Sequence, residues 1–155
     1  MDVTIKQLPP ARVAYMRLTG PYGPAIGLFW REVFGVWMEQ NGLLQRVRYG
    51  IGLDDPTITP PAECRYDACV EVPETFDATS QVLVRILPGG QFSCTRFVGT
   101  GAEIGEAWNR LFRELPTLGM RADGGPYFER YAQDSHYDPL TGVMECELCI
   151  PVQPL

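Results

Sequence analysis

The sequence predicts an α+β fold built from two copies of one unit, and three observations predict it. Residues 3–13 (VTIKQLPPARV) lie over residues 82–92 (VLVRILPGGQF) without a gap, type matching type almost throughout. An aromatic, helix-like stripe comes after each segment, one around Trp30 and one around Trp108. Each stripe ends at a glycine and leads into two strand-like runs. Each half therefore reads strand, Pro/Gly turn, strand, helix, strand, strand, a ββαββ-type order.

The first two strands of each half are expected as antiparallel hairpins around Pro9-Pro10 and Pro88-Gly89, because these residues supply turn geometry. Arg17 falls on Arg96 and Gly20 on Gly99 at the end of the second strand. Ile26, Trp30, Val33, Phe34, Trp37 and Met38 then fall on one face of a helix. Their counterparts, after one residue is dropped, are Ile104, Trp108, Leu111, Phe112 and Leu115. Gly42 and Gly119 close the two helices, since glycine takes the left-handed position past a C-terminus at least cost. Residues 49–53 then match 128–132 and residues 65–70 match 145–150, as strands. The expected organisation is one domain over residues 1–155, made of repeats at about 1–73 and 82–155 with a linker at 73–81. A pseudo-twofold axis and a cleft between the halves are expected with it.

Composition narrows the function. The 155 residues are 45% apolar and 21% charged, enough apolar material for a core. Thirteen Lys and Arg against nineteen Asp and Glu give a net charge of −6, which disfavours direct nucleic-acid binding through phosphate neutralisation. No apolar run is long enough to span a bilayer, and the start MDVTIK lacks a signal-peptide layout, so the expected location is cytoplasmic, off the membrane. Five cysteines, an odd number, fit free thiols. Cys146 and Cys149 have C-x-x-C spacing, but residues three apart on a strand face opposite sides, as do Cys64 and Cys69. No metal and no cofactor is expected, and the cysteines read as packing residues. Gly99, Gly101 and Gly105 miss the dinucleotide-loop spacing by one residue. His136, the only histidine, sits in a turn-rich stretch with no nucleophile placed beside it.

Gly20-Pro21-Tyr22 before an aromatic helix, Asp55-Pro56 with Pro60 and Pro61, the run from Cys64 to Val70, Tyr127-Phe128-Glu129-Arg130-Tyr131 and the final run Glu147-Leu148-Cys149-Ile150-Pro151-Val152 together resemble the GyrI-like small-molecule-binding family. That family includes the DNA gyrase inhibitory protein and the effector-binding domains of AraC-type and multidrug-sensing regulators. The resemblance runs over essentially the whole chain and implies an SHS2-like duplicated module with a central aromatic cleft for hydrophobic, often cationic molecules. It places Glu129 as the carboxylate at that cleft, with Trp30, Tyr49 and Tyr66 lining it; Trp108, as the mate of Trp30, is expected to face the same space. No helix-turn-helix segment is present, so the expected match is to the free-standing members.

The residues carry their own argument. Glu129 has aromatic neighbours, and its mate in the other copy is Gly50, so the halves differ most there. If Tyr127, Glu129 and Tyr131 share a strand face, a carboxylate stands between two phenols, costly to bury without a partner and raised in pKa. A cationic ligand would supply the partner, aided by cation–π contacts. The competing reading is a surface glutamate on the exposed face of the sheet, paired with Arg130 or another cation. Trp37 reads as core; Trp30 and Trp108 read equally as core or as site, and could meet across the pseudo-axis.

Three functions are consistent with these residues. The first is a binding protein for hydrophobic or cationic small molecules. The second is a cofactor-independent hydrolase of reactive cyclopropane-type molecules, with Glu129 activating water and Tyr66 assisting. The third is inhibition of DNA gyrase or another protein through an acidic surface.

Overall fold

The computed structural model describes residues 1–155. Strands β1 (Thr4–Leu8) and β2 (Ala11–Thr19) precede a helical segment of three parts: α1 (Pro24–Phe29), a π-helical turn (Trp30–Phe34) and α2 (Gly35–Gln40). Strands β3 (Arg48–Gly52) and β4 (Arg65–Glu71) complete the first half. The second half holds β5 (Leu83–Leu87), β6 (Gly90–Gly99), α3 (Ile104–Glu114), β7 (Met120–Ala122), β8 (Phe128–Tyr131) and β9 (Met144–Pro154). The fold is α+β, as expected. Strand β7, only three residues long, was not foreseen.

All strand pairs are antiparallel, in the order β1-β6-β9-β8-β3-β4-β2-β5, with β7 set beside the end of β9. The expected hairpins do not pair with themselves. Strand β1 pairs with β6, from Thr4 opposite Cys94 to Leu8 opposite Gly90. Strand β5 pairs with β2, from Leu83 opposite Tyr15 to Leu87 opposite Ala11. The short links explain this. Pro9 and Pro10 have no N–H to donate across a hairpin and hold a fixed φ, so the chain bends out of one strand line and into another.

Alternation along the strands gives the sheet two apolar faces. On one, Ala14, Tyr66, Ala68 and Val70 pack under Phe34, Trp37 and Met38 of the first helical segment. Farther along the same face, Leu148, Ile150 and Val152 pack under Leu111 and Leu115 from α3 and the turn after it. Phe34 and Leu111 have no exposed surface, and burying each stabilises by about 1.5–3 kcal/mol. The other face gathers Val13, Tyr49, Cys69, Leu87, Phe92, Cys94, Phe128 and Cys149 into one cluster. Its members come from strands near both ends of the sheet, so the sheet curls around this cluster and the helices lie outside the curl.

The helix termini agree with the glycine expectation: Gly42 and Gly119 have φ of 68° and 71°, the left-handed values that side chains disfavour. The π turn departs from the expected stripe. One extra residue in the turn rotates the rest of the helix, so Phe34 points inward with no exposure while Val33 is 48% exposed. All five cysteines are free and buried; Cys146 packs under α3 and Cys149 on the opposite face, as the spacing requires. His136 lies in the loop between β8 and β9. No helix is long and apolar enough to cross a membrane.

Candidate functional site

The two central strands, β8 and β3, lie between the areas covered by the two helical segments. Along β8 and the residue before it, the side chains of Tyr127, Glu129 and Tyr131 share one face. Tyr127 packs against Trp108, ring centroids 5.1 Å apart, and Tyr131 against Trp30 at 5.8 Å. Glu129 stands between these two pairs, 8% exposed. Across the sheet, Gly50 of β3 is directly opposite Glu129.

A short polar chain runs through the site. The Trp30 Nε1–H donates to the Tyr66 hydroxyl at 3.0 Å, and that hydroxyl donates to Glu129 Oε2 at 3.3 Å. Gly50 makes this possible: a Cβ built there would stand 1.9 Å from the Tyr66 oxygen and 2.8 Å from Glu129 Oε2. No cationic side chain pairs with Glu129; the ion pairs of the chain involve other carboxylates. Burial therefore pushes the Glu129 carboxyl up to about 8, with the Tyr66 hydrogen bond opposing only part of the shift. Burial also holds the Tyr66 and Tyr131 hydroxyls well above the usual phenol range, and the Glu129 charge adds to both. At neutral pH the site is a protonated carboxyl among neutral phenols and indoles, able to accept a cation if it releases its proton.

Of the five sequence-predicted residues, the fold brings Glu129, Tyr66 and Trp30 together. Trp108 reaches the neighbourhood only through Tyr127, and packs otherwise on Phe112. The two tryptophans do not meet: the other ring on Trp30, besides Tyr131, is Phe34. Tyr49 is a correction. It lies one residue from Gly50 and so points to the other face, where its hydroxyl donates to Glu71 Oε1 at 2.6 Å and its ring meets Phe128 at 5.1 Å. The surface reading of Glu129 with Arg130 fails for the same reason, because neighbours on a strand face opposite ways. Tyr131 and Gly50 were missed as site residues. The signal for both was available, since Tyr131 shares the period-two face with Glu129 and the expected repeat alignment sets Gly50 over it.

Glu129 belongs to no cluster of three metal-ligating side chains. The metal-ligating side chains that do converge, Cys94, Glu147 and Cys149, belong to other positions of β6 and β9.

An antiparallel sheet backed by two helical segments, with a buried acidic group between them, defines the class as a compact α+β binding domain. The chain belongs to the GyrI-like family: the model of the GyrI-like small molecule binding domain matches residues 1–153. YosT of Bacillus subtilis strain 168, which carries a transcriptional-regulator name, is 35% identical over 157 residues, covering 99% of this chain and 100% of its own. A DNA gyrase inhibitor of Cronobacter turicensis is 27% identical over 157 residues, covering 99% and 98%. Among solved structures, the EcmrR C-terminal domain superposes with a TM-score of 0.75 at 11% identity, covering 99% of this chain and 98% of that one. A protein solved with tetraphenylphosphonium bound superposes at 0.65 with 14% identity, covering 99% and 94%.

Proposed function

We propose that this protein binds hydrophobic cations at Glu129, between the Trp30–Tyr131 and Trp108–Tyr127 pairs. The observation that carries the reading is a carboxyl 8% exposed, with a hydroxyl as its hydrogen-bond partner and no counter-cation. Such a group keeps its proton at neutral pH, and its ionised form is costly unless a cation stands beside it. A lipophilic cation supplies the charge, and the rings of Tyr66, Tyr131 and Trp30 beside the carboxyl supply cation–π and apolar contacts. Entry requires Tyr66 to yield, since its hydroxyl is bonded to the carboxyl and is itself held by Trp30. The protein solved with tetraphenylphosphonium is of the same fold and lends the ligand class support.

The chain is further proposed to be one domain of two repeats, at about 1–73 and 82–155, joined by the linker at 73–81 and related by a pseudo-twofold axis. The strand order supports it. Read from either end, the order places corresponding strands at corresponding places, β1 with β5, β6 with β2, β9 with β4 and β8 with β3. Gly50 and Glu129, mates in the proposed alignment, sit opposite one another at its centre. The cleft that receives the ligand then lies on the axis.

The test is titration of tetraphenylphosphonium while monitoring tryptophan fluorescence. Saturable quenching in the wild type that weakens at least tenfold in Glu129→Gln supports the reading; quenching of equal affinity in both removes the glutamate from it. A second reading, metal-free hydrolysis of reactive cyclopropanes, rests on the Glu129–Tyr66 contact, a base beside an acid. Turnover retained in Glu129→Ala would dismiss it. Inhibition of gyrase is carried by the names of relatives alone, and a supercoiling assay at high protein excess tests it.

A further inference from the structure

Inside the curl of the sheet, on the face away from Glu129, three ligating side chains converge. Cys94 of β6 and Cys149 of β9 are direct cross-strand partners, so both sulfurs point to the same face. Glu147, two residues before Cys149, points there too. The two sulfurs and a Glu147 oxygen all lie within 4.8 Å of one another, and Glu147 Oε1 is 3.7 Å from Cys149 Sγ. The C-x-x-C spacing pointed to Cys146, which lies on the far side of β9; the sulfur that faces Cys149 comes from another strand.

The geometry points to a zinc-type ion site formed by Cys94, Cys149 and Glu147, with a fourth position open to water. Two sulfurs and a carboxylate suit a borderline-soft divalent ion. Separations under 4.8 Å let one ion reach all three donors, with zinc–sulfur bonds of about 2.3 Å and zinc–oxygen bonds of about 2.0–2.2 Å. Lys6 of the edge strand β1 forms an ion pair with Glu147. Two thiolates and one carboxylate carry three negative charges; a divalent ion and Lys6 carry three positive ones. Arg96 and Arg130, the cross-strand partners of Glu147 on β6 and β8, add positive charge beside the site, so the negative ligand set is offset from several sides. The ion has a way in, because the side chains of Lys6 and Glu147 are 41% and 22% exposed while the sulfurs behind them are buried. Loading sends two thiol protons to solvent as two metal–sulfur bonds form.

The test is titration of reduced protein with cadmium ion, whose thiolate complexes absorb in the ultraviolet. One saturable step at one ion per chain is expected, absent in the Cys94→Ala, Cys149→Ala double variant and unchanged in Cys64→Ala. Glu147→Gln, at a partly exposed position that leaves both sulfurs in place, is expected to keep the band and weaken binding tenfold or more. No band in the wild type, a band surviving in the double variant, or an affinity untouched by Glu147→Gln would each overturn the assignment. Cadmium uptake does not involve Glu129, so either outcome leaves the lipophilic-cation reading to its own experiment.

Discussion

The Tyr66 hydroxyl occupies the volume that a side chain on Gly50 would need, 1.9 Å from where that Cβ would stand. Tyrosine and glycine are thus fitted to each other across β4 and β3. Gly50→Ala is expected to expel the hydroxyl and break the Trp30–Tyr66–Glu129 chain, an overpacking cost of about 1–3 kcal/mol. For a chain of this size the melting temperature should fall by roughly 2–4 °C per kcal/mol. A thermal melt reads the loss, and a shift in tryptophan emission reports the freed Trp30. An unchanged melt and spectrum would mean that the two residues are not tightly fitted.

Glu129 makes stability fall with rising pH. Its folded value of about 8 lies above the ordinary 4.5, so between these values the folded chain holds a proton that the unfolded chain has lost. Stability from this group is present below pH 4.5, declines from there to about pH 8, and is flat above. Glu129→Gln removes the decline, and at about pH 9 the variant is expected to be more stable than wild type by a few kcal/mol. Chemical denaturation on either side of the Glu129 transition checks it; equal pH slopes in the two proteins would remove Glu129 as the source.

The same titration couples to ligand capture. A lipophilic cation pairs with the ionised carboxylate, so binding below about pH 8 releases a proton and affinity should rise up to about tenfold per pH unit until the carboxyl has ionised. Calorimetry in two buffers of different ionisation enthalpy measures the proton directly. A pH-independent affinity would separate cation binding from Glu129.

A second carboxylate is held differently. Asp67 has no exposed surface and receives Arg17 through two hydrogen bonds, at 2.8 and 3.0 Å, with Arg85 3.7 Å away. Arg17→Met should strip its hydrogen-bonded partner and cost about 2–4 kcal/mol, while adding Asp67→Asn should restore part of the loss. Denaturation of the single and double variants tests the coupling, and strictly additive effects would contradict it.

The face of β8 was legible because strand periodicity is rigid: Tyr127, Glu129 and Tyr131 had to point one way. Gly50 was legible as the partner of Glu129 because the proposed repeat alignment sets the two residues over one another. Tyr49 was misplaced by a parity slip of one residue, since an aromatic beside a site residue on a strand points away from it. The π turn was hidden because Val33 and Phe34 are both apolar, and spacing alone does not choose which turns inward. Strand pairing was hidden because β1 and β2 are adjacent in sequence, while the partner of β1, β6, and one of the two partners of β2, β5, come from the far half.

That exchange of partners bears on how the chain folds. Strand β1 is made first and pairs with β6, a contact that spans more than half of the chain, so its backbone groups wait unsatisfied until β6 exists. The first half on its own lacks both β5 and β6, leaving β1 and β2 with open edges prone to pair with other chains. Two pieces produced by cutting between residues 73 and 81 would each hold the strand that the other needs. They would be expected to reassemble when mixed, and to aggregate when kept apart.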